Sequence, residues 1–561
     1  MSSPPTAPQP ATARRHTGLL LVDLLVAAGI DRVFGVPGGQ TQALYDGILE
    51  RQPAIRHVLV RDERTAAYAA DAFARVTGRL AACDATVGPG TAKLPSGLGE
   101  ALNASIPVLA LVSDLPRAWH GLRDRGVASQ GLDQAALLAP VTKWLAEVPS
   151  PEALPELFAE AIREATTGRP GPVALILPQD VLDADAPEAE IDPPRAEFPA
   201  ERIEPDTAEL GAAVEVLARA ERPLVIAGGG ALIAGAGEAT LRLAERLGAA
   251  FGTTLTGKGA VSERHPLAVG VVGSFGTPAA RTLFEGADAV CLLVAKGGSM
   301  TTFGFALPRA DQAVVHVDVE PRLGTTVTAD ALLGAGALAA ALPQADRPAW
   351  AAAIAAETAA WRAARDAERA ASDEPILPQR VAAELERTLR PGDLVVSDAS
   401  LANGWAAVYV EQADPGRTLL SPRGLAGLGF GVPAAIGAAV ARPGARVFVL
   451  VGDGGLAYAV GEFATIAEHG LPVTIVVLNN SSLGWIRWYR RLAWGRGHER
   501  DDFDAVDFAA VARAFGLASA RVEHPDDLAE ALTLPGPALV DVVTAVWETP
   551  HLGQRDAAET Y

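Results

Sequence analysis

The stretch from Arg446 to Arg490 leaves the chain few folding options. Two short apolar runs rich in β-branched residues, Val447–Val451 and Val473–Leu478, read as buried strands. Between them a helical segment is expected over Ala459–His469, closed by Gly470 and Leu471-Pro472. Strand, helix and strand in that order make a parallel-sheet unit. Polar groups follow both strands: Gly452-Asp453-Gly454-Gly455 after the first and Asn479-Asn480 after the second. In an open α/β sheet this is the edge where ligands bind.

These residue types suit a diphosphate held through a divalent metal. Glycine lets the backbone approach phosphate closely, and N–H groups at a helix start favour anions. Asp453 offers a hard carboxylate oxygen and Asn480 a neutral carbonyl oxygen, the donors that magnesium takes. Each group alone is an ordinary turn former. Their placement at the ends of neighbouring strands is what makes the pair specific.

Length sets a prior of three or four domains for 561 residues. A net charge of −20 argues against nonspecific binding to nucleic acid or to an anionic membrane. Two cysteines, Cys83 and Cys291, are too few for a disulfide framework or a cysteine zinc site. The apolar run Leu19–Ala28 is short and interrupted by Asp23, so no spanning segment is expected and the default location is cytoplasmic.

In chain order, residues 1–15 have the composition of a disordered tail. A helix is expected from Thr17 to Ala28 with Gly29 as its cap. Strands are expected at Arg32–Val36 and His57–Val60, with a Pro37-Gly38-Gly39 loop between them. A helix rich in small residues opens at Arg61-Asp62-Glu63-Arg64, which puts Glu63 where the helix dipole favours its charge. Its alanines suggest close packing within the chain or between subunits. Residues 186–205, rich in Asp, Glu, Pro and Ala, read as a linker between a 16–185 domain and a 206–345 domain. The second domain has strands at Pro223–Ala227, Ala289–Val294 and Ala313–Val319. Its Gly228-Gly229-Gly230 is a weak dinucleotide signal, because Ile233 holds the third glycine position. Residues 346–378 form a helical linker. A third domain spans 379–545, with strands at Leu394–Ser397 and Ala538–Val543, and 546–561 form a C-terminal arm able to cover the site.

The glycine, aspartate and paired asparagines, with 24 residues (455–478) between the two groups, are similar to the thiamine-diphosphate motif of the acetolactate synthase and benzoylformate decarboxylase superfamily. The segment RDERTAAYAADAFARVTGRLAACDATVGPGTAKLPSGLGEALNASIPVLALVSD resembles that family throughout, and RGLAGLGFGVPAAIGA (Arg423–Ala438) resembles its GLGAMGFGLPAAIGA. The acetolactate synthase large subunit is nearest in motifs. The resemblance implies an α/β fold of three doubly wound parallel-sheet domains: pyrimidine-binding, middle and diphosphate-binding. It implies thiamine diphosphate and Mg²⁺ as cofactors, with Asp453, Asn480 and the backbone oxygen of Ser482 on the metal. Gly452, Gly454, Gly455 and Ser400 would stand near the diphosphate, and Ala426 and Leu428 against the aminopyrimidine. Glu63 would share a proton with N1′ of that ring. Gln130 matches a family glutamine with a catalytic role. Gly39, Gln40, Lys143, Trp485 and Ile486 would line the substrate pocket.

The expected reaction is decarboxylation of a 2-oxo acid, pyruvate first, with ligation to a second carbonyl compound. The alternatives are a benzoylformate-decarboxylase-like enzyme, a 2-hydroxyacyl-CoA lyase or a secondary-metabolism synthase, and, in another class, a noncatalytic nucleotide-binding or regulatory homologue. The family's active site lies between subunits, which implies a homodimer or homotetramer; a regulatory subunit is left open. Three departures stand out. Lys93 replaces a usual asparagine, Leu401-Ala402 replace Gln-His, and AKGGSMTTFGF replaces an Arg-containing loop of the middle domain. The last leaves FAD as an open possibility.

Overall fold

A computed structural model describes residues 15–188, 191–496 and 501–559. The tail expected over 1–15 therefore lies almost wholly outside the described residues. The chain builds three sheets of six strands each, and every strand pairing within them is parallel. The expected α/β architecture of three parallel-sheet domains is what the chain adopts.

The first sheet contains β1 (Arg32–Gly35), β2 (Arg56–Leu59), β3 (Ala82–Ala85), β4 (Leu109–Asp114), β5 (Trp144–Glu147) and β6 (Val173–Pro178), ordered β2-β1-β3-β4-β6-β5. The third contains β13 (Leu394–Ser397), β14 (Leu419–Leu420), β15 (Val447–Gly452), β16 (Val473–Asn479), β17 (Ala518–Val522) and β18 (Ala538–Val543), ordered β14-β13-β15-β16-β18-β17. Counted within each domain, the two orders are the same. The middle sheet differs: β7 (Pro223–Ala227), β8 (Ala250–Thr253), β9 (Ala268–Val271), β10 (Ala289–Leu293), β11 (Ala313–Asp318) and β12 (Thr325–Thr328) run β9-β8-β7-β10-β11-β12. That is the strand order of doubly wound dinucleotide-binding folds.

The central strands are apolar along their whole length because helices cover both faces of a parallel sheet; β4, β6 and β16 are buried throughout. The two cysteines lie inside such strands, and burial pushes both thiols upward.

The helix Glu63–Thr77 starts where the Asp62 side chain accepts from Arg64 N at 2.9 Å and ends at Gly78, φ +74°. Its small residues pack on the helix Gly431–Ala441 of the third domain in the same chain. A side chain at Gly437 would stand 2.0 Å from the Ala69 carbonyl oxygen, so the closeness of the two helices requires glycine there.

One expectation is corrected. The segment Ala459–His469 is not one helix. A 3₁₀ turn at Val460–Glu462 leads into a shorter helix, Phe463–Glu468. The Glu462 carboxylate turns aside to bind Arg61 N and Thr465, which ties this corner to the first domain. The C-terminal arm runs back to the middle domain. Gly553 N donates to Gly276 O at 2.7 Å, and Glu559 pairs with Arg281. Glu548, near the arm's start, lines the large cavity described next.

Candidate active site

A cavity of about 810 Å³ opens between the domains and reaches the carboxyl ends of β15 and β16. Gly452, Asp453, Gly454, Gly455, Asn480 and Ser482 line it there. Ser400, Ala426 and Leu428 line it beside them, and Trp485 and Ile486 complete that end. Eleven residues expected from four separated segments thus share one space.

The local geometry explains how. Asp453 follows β15 and is 2% exposed. Its two carboxylate oxygens accept from Gly454 N at 2.7 Å and Ser481 N at 2.5 Å. These partners are main-chain N–H groups, and burial pushes the carboxyl up to about 6. Asn480 accepts from Ser482 N at 3.1 Å. The neighbouring Asn479 does something else: it stays in β16 and donates to Asp541 and to Val506 O. Of the asparagine pair, Asn480 is the one at the cavity. The Ser482 carbonyl accepts from Gly484 N at 2.9 Å and keeps a second lone pair.

Strained backbone concentrates here. Ser400, Ala426 and Ser481 have φ of +72°, +56° and +52°. Such conformations cost about 1–3 kcal/mol each in non-glycine residues and persist where the surroundings hold them. The holding group at Ala426 comes from the first domain. Glu100 is fully buried, and its carboxylate accepts from Arg423 N, Gly424 N, Leu425 N and Ala426 N at 2.7–2.9 Å. Arg75 neutralises it at 3.2 Å. Asp398 likewise holds Gly429 N at 3.1 Å and Ala399 N at 2.6 Å. It also crowds Gly455, where an added Cβ would meet its oxygen at 3.0 Å.

A second group forms at the carboxyl ends of the first sheet. Gln40 bonds Thr86 at 2.9 Å, next to the exposed Gly39. Gly88 lies against the Gln130 carbonyl, and Gly90 against Glu63. Gln130 itself has φ +62°. Glu63 is 6% exposed and pairs with Lys93 at 3.0 Å. The departure at position 93 therefore puts an ammonium directly on Glu63. None of Gly39, Gln40, Glu63 and Gln130 lines the large cavity of the single chain.

Lys143 belongs to neither group, which corrects its expected place in the substrate pocket. Its ammonium donates to the carbonyls of Glu164 at 2.6 Å and Thr167 at 3.0 Å, at the end of the helix Leu154–Thr166. Orphan carbonyls at a helix end attract a cation, and Lys143 serves them. Burial draws its pKa down.

Comparison with known proteins decides the family. The thiamine pyrophosphate enzyme domains match in order: the N-terminal TPP binding domain over residues 15–137, the central domain over 210–344 and the C-terminal TPP binding domain over 398–542. The chain belongs to the thiamine pyrophosphate enzyme family. It is 34% identical to the probable acetolactate synthase large subunit of Methanocaldococcus jannaschii, across 93% of this chain and 91% of the relative. It is 33% identical to the acetolactate synthase large subunit of Parasynechococcus marenigrum, across 93% and 86%. It is 32% identical to the acetolactate synthase isozyme 2 large subunit of Escherichia coli, across 94% and 96%.

The residues present fit the family's cofactor. Gly452 faces open space, with nothing within 4 Å of an added Cβ. A buried carboxylate, an amide oxygen and a carbonyl oxygen make an all-oxygen donor set of the kind Mg²⁺ takes when phosphates and water supply the rest. Among the described residues no group of three or more His, Cys, Asp or Glu forms a separate metal cluster. No helix among them is long and apolar enough to cross a membrane.

Sequence reading passed over Arg423, Phe275 and Glu100. Arg423 was in plain view as the only charge in a glycine-rich loop. Nothing local to Glu100 or Phe275 places either at the cavity.

Proposed function

We propose that this chain uses thiamine diphosphate and Mg²⁺ to decarboxylate a 2-oxo acid, pyruvate first, and joins the remaining acyl fragment to a second carbonyl compound. The observation that carries the reading is the convergence of Asp453, Asn480, Ser482, Ala426 and Leu428 on one cavity. The relatives named as acetolactate synthases support the choice of reaction.

Asp453, Asn480 and the Ser482 carbonyl would hold the metal, and the glycines around Asp453 would admit the diphosphate. When bound, thiamine diphosphate supplies the carbon nucleophile and the electron sink for loss of CO₂. Glu63 would pass a proton between its carboxyl oxygen and the aminopyrimidine. Leu428 and Trp485 keep water from the reacting carbon. The Glu63 group and the Asp453 group stand on different domains, and Glu63 does not line the single chain's cavity. This supports a homodimer or homotetramer in which the Glu63 group of one copy faces the Asp453 group of another. The middle-domain end of the cavity is lined by Gly228, Gly229 and Asp318 and belongs to a sheet with the strand order of dinucleotide-binding folds, so flavin enters the test as a separate arm.

The test is turnover of pyruvate with thiamine diphosphate and Mg²⁺, with and without FAD, following CO₂ and the organic product separately. Acetolactate is the expected product. CO₂ with acetaldehyde alone would replace ligation by simple decarboxylation. No CO₂ from pyruvate or from larger 2-oxo acids would overturn the reading.

A further inference from the structure

Asp541 lies on β18 with its side chain fully buried, and three segments meet on it. One carboxylate oxygen accepts from the Asn479 side chain at 2.8 Å. The other accepts from Phe508 N at 3.0 Å and from Arg521 at 2.8 Å. The sheet explains the first contact. β16 and β18 pair in parallel, with Val477 opposite Asp541 and Asn479 opposite Val543. Side chains two apart on a strand share a face, so Asn479 and Asp541 are diagonal neighbours on one side of the sheet. The second contact uses a helix start. Phe508 opens the helix Phe508–Ala514, and its N–H is one of those with no acceptor inside the helix. Arg521, on β17, supplies the opposite charge that a buried carboxylate needs.

These contacts bear on the turn that carries Asn480 and Ser482. The turn leaves β16 at Asn479, whose amide nitrogen donates to Asp541 and to Val506 O at 2.9 Å. It then runs beside residues 501–503. Phe503 N donates to Ser481 O at 3.0 Å, and Leu483 N donates to Asp501 O at 2.7 Å. The Ser482 hydroxyl reaches the same carbonyl at 3.2 Å. The segment that flanks the turn is itself fixed on Asp541, at Phe508. One carboxylate thus holds the turn at its entry, through Asn479, and along its side, through Phe508. Ser481, within the turn, has φ +52°, a conformation that persists where neighbours impose it.

Mg²⁺ demands oxygens close to octahedral positions. Groups that orient its ligands without touching the ion therefore set its affinity. We infer that Asp541 is a positioning residue for the metal, which holds Asn480 and the Ser482 carbonyl in place before the ion arrives. The inference rests on the metal assignment proposed above. It predicts a split: changing Asp541 or its contact to the turn lowers metal affinity, whereas turnover at saturating metal is nearly kept, because the bound ion then orders the turn.

The experiment uses the full-length protein with saturating thiamine diphosphate and titrates Mn²⁺, whose free-ion paramagnetic resonance signal disappears on binding. Wild type, D541N and N479A are compared. D541N keeps the size of the side chain and turns one acceptor into a donor. Its Mn²⁺ affinity is expected to fall by about tenfold or more. N479A removes the entry contact alone and is expected to lose about threefold or more, the scale of one hydrogen bond. The double variant should lose less than the product of the two, because both break the same bond. With pyruvate, the half-saturating Mg²⁺ concentration of N479A should rise while kcat at saturating Mg²⁺ stays within about threefold of wild type. If D541N is recovered only unfolded, N479A decides.

An unchanged Mn²⁺ affinity in a folded D541N or in N479A, even with a lowered Tm, gives Asp541 a purely structural role and overturns the inference, while the metal ligands stand. Wild-type protein that binds no Mn²⁺ with thiamine diphosphate overturns the metal assignment, and the inference with it.

Discussion

The first and third domains share one strand order, yet their corresponding strand ends carry different chemistry. The third strand of the first domain, β3, runs into Thr86–Gly90, a loop packed against Glu63 and Gln130. Its counterpart β15 runs into Asp453–Gly455 at the large cavity. At the fourth strands the contrast is sharper. β4 ends in Asp114, whose carboxylate is consumed by Leu115 N at 2.7 Å and Arg123 at 3.1 Å. β16 ends in Asn479-Asn480, and one of the two amides is left at the cavity. The scaffold thus fixes where a functional group can stand, and the loop residues decide whether it is spent on structure or offered to a ligand.

Under the proposed function, the first domain would handle the proton and the third would hold metal and phosphate, and this division can be broken at several points. The largest effect is expected from Glu63→Gln, which should lower turnover by about a thousandfold at saturating cofactor, within the usual range for a positioned acid–base group. Wild-type rates would remove catalysis from the first domain. Asp453→Ala should weaken metal-dependent thiamine diphosphate binding by about a hundredfold, the scale of a lost charged contact. Unchanged binding by calorimetry would move the metal off β15.

A third prediction concerns the scaffold carboxylate Asp398, which burial pushes up to about 6 from an ordinary 3.8. The native state takes up a proton near pH 6 that the unfolded chain takes up only near pH 4. Stability relative to Asp398→Asn should therefore rise by about 1–3 kcal/mol as pH falls across that window, and stay level below it. Denaturant titrations of the two proteins from pH 7 to 4 would show parallel curves if Asp398 has no such shift. The smallest effect belongs to Lys93→Asn. The lysine is half-exposed, so its pairing with Glu63 is weakened by solvent, and turnover should change by less than about tenfold. A larger loss would make the ammonium a working part of the first-domain group.

The Asp453 and Asn480 part of the third-domain site was legible in the sequence because it falls within one strand-helix-strand stretch, whereas Ser400, Ala426 and Leu428 came only from the family resemblance. Periodicity located the strands, and strand ends located the ligands. The first-domain group was harder to read. Gly39, Glu63, Gly90 and Gln130 meet only after four strands have paired, and without the family resemblance Glu63 was an ordinary helix-start carboxylate. Short edge strands escaped notice because they carry no continuous apolar run; β5 and β17 are largely half-exposed. Lys143 misled because a lysine's partners are invisible in sequence when they are main-chain carbonyls 21 and 24 residues away. Arg423 was visible as a letter, but the ring it stacks on, Phe275, belongs to another segment.

The Glu100 clamp has a consequence for how such a chain can change over generations. It grips four successive amide hydrogens of the loop it holds. Any non-proline residue supplies those hydrogens. Positions 423 and 425 can therefore be exchanged while the main-chain path past Ala426 is kept. The outer side chains of the loop can drift while its main-chain path stays fixed, so change at those positions need not disturb the strained backbone at Ala426.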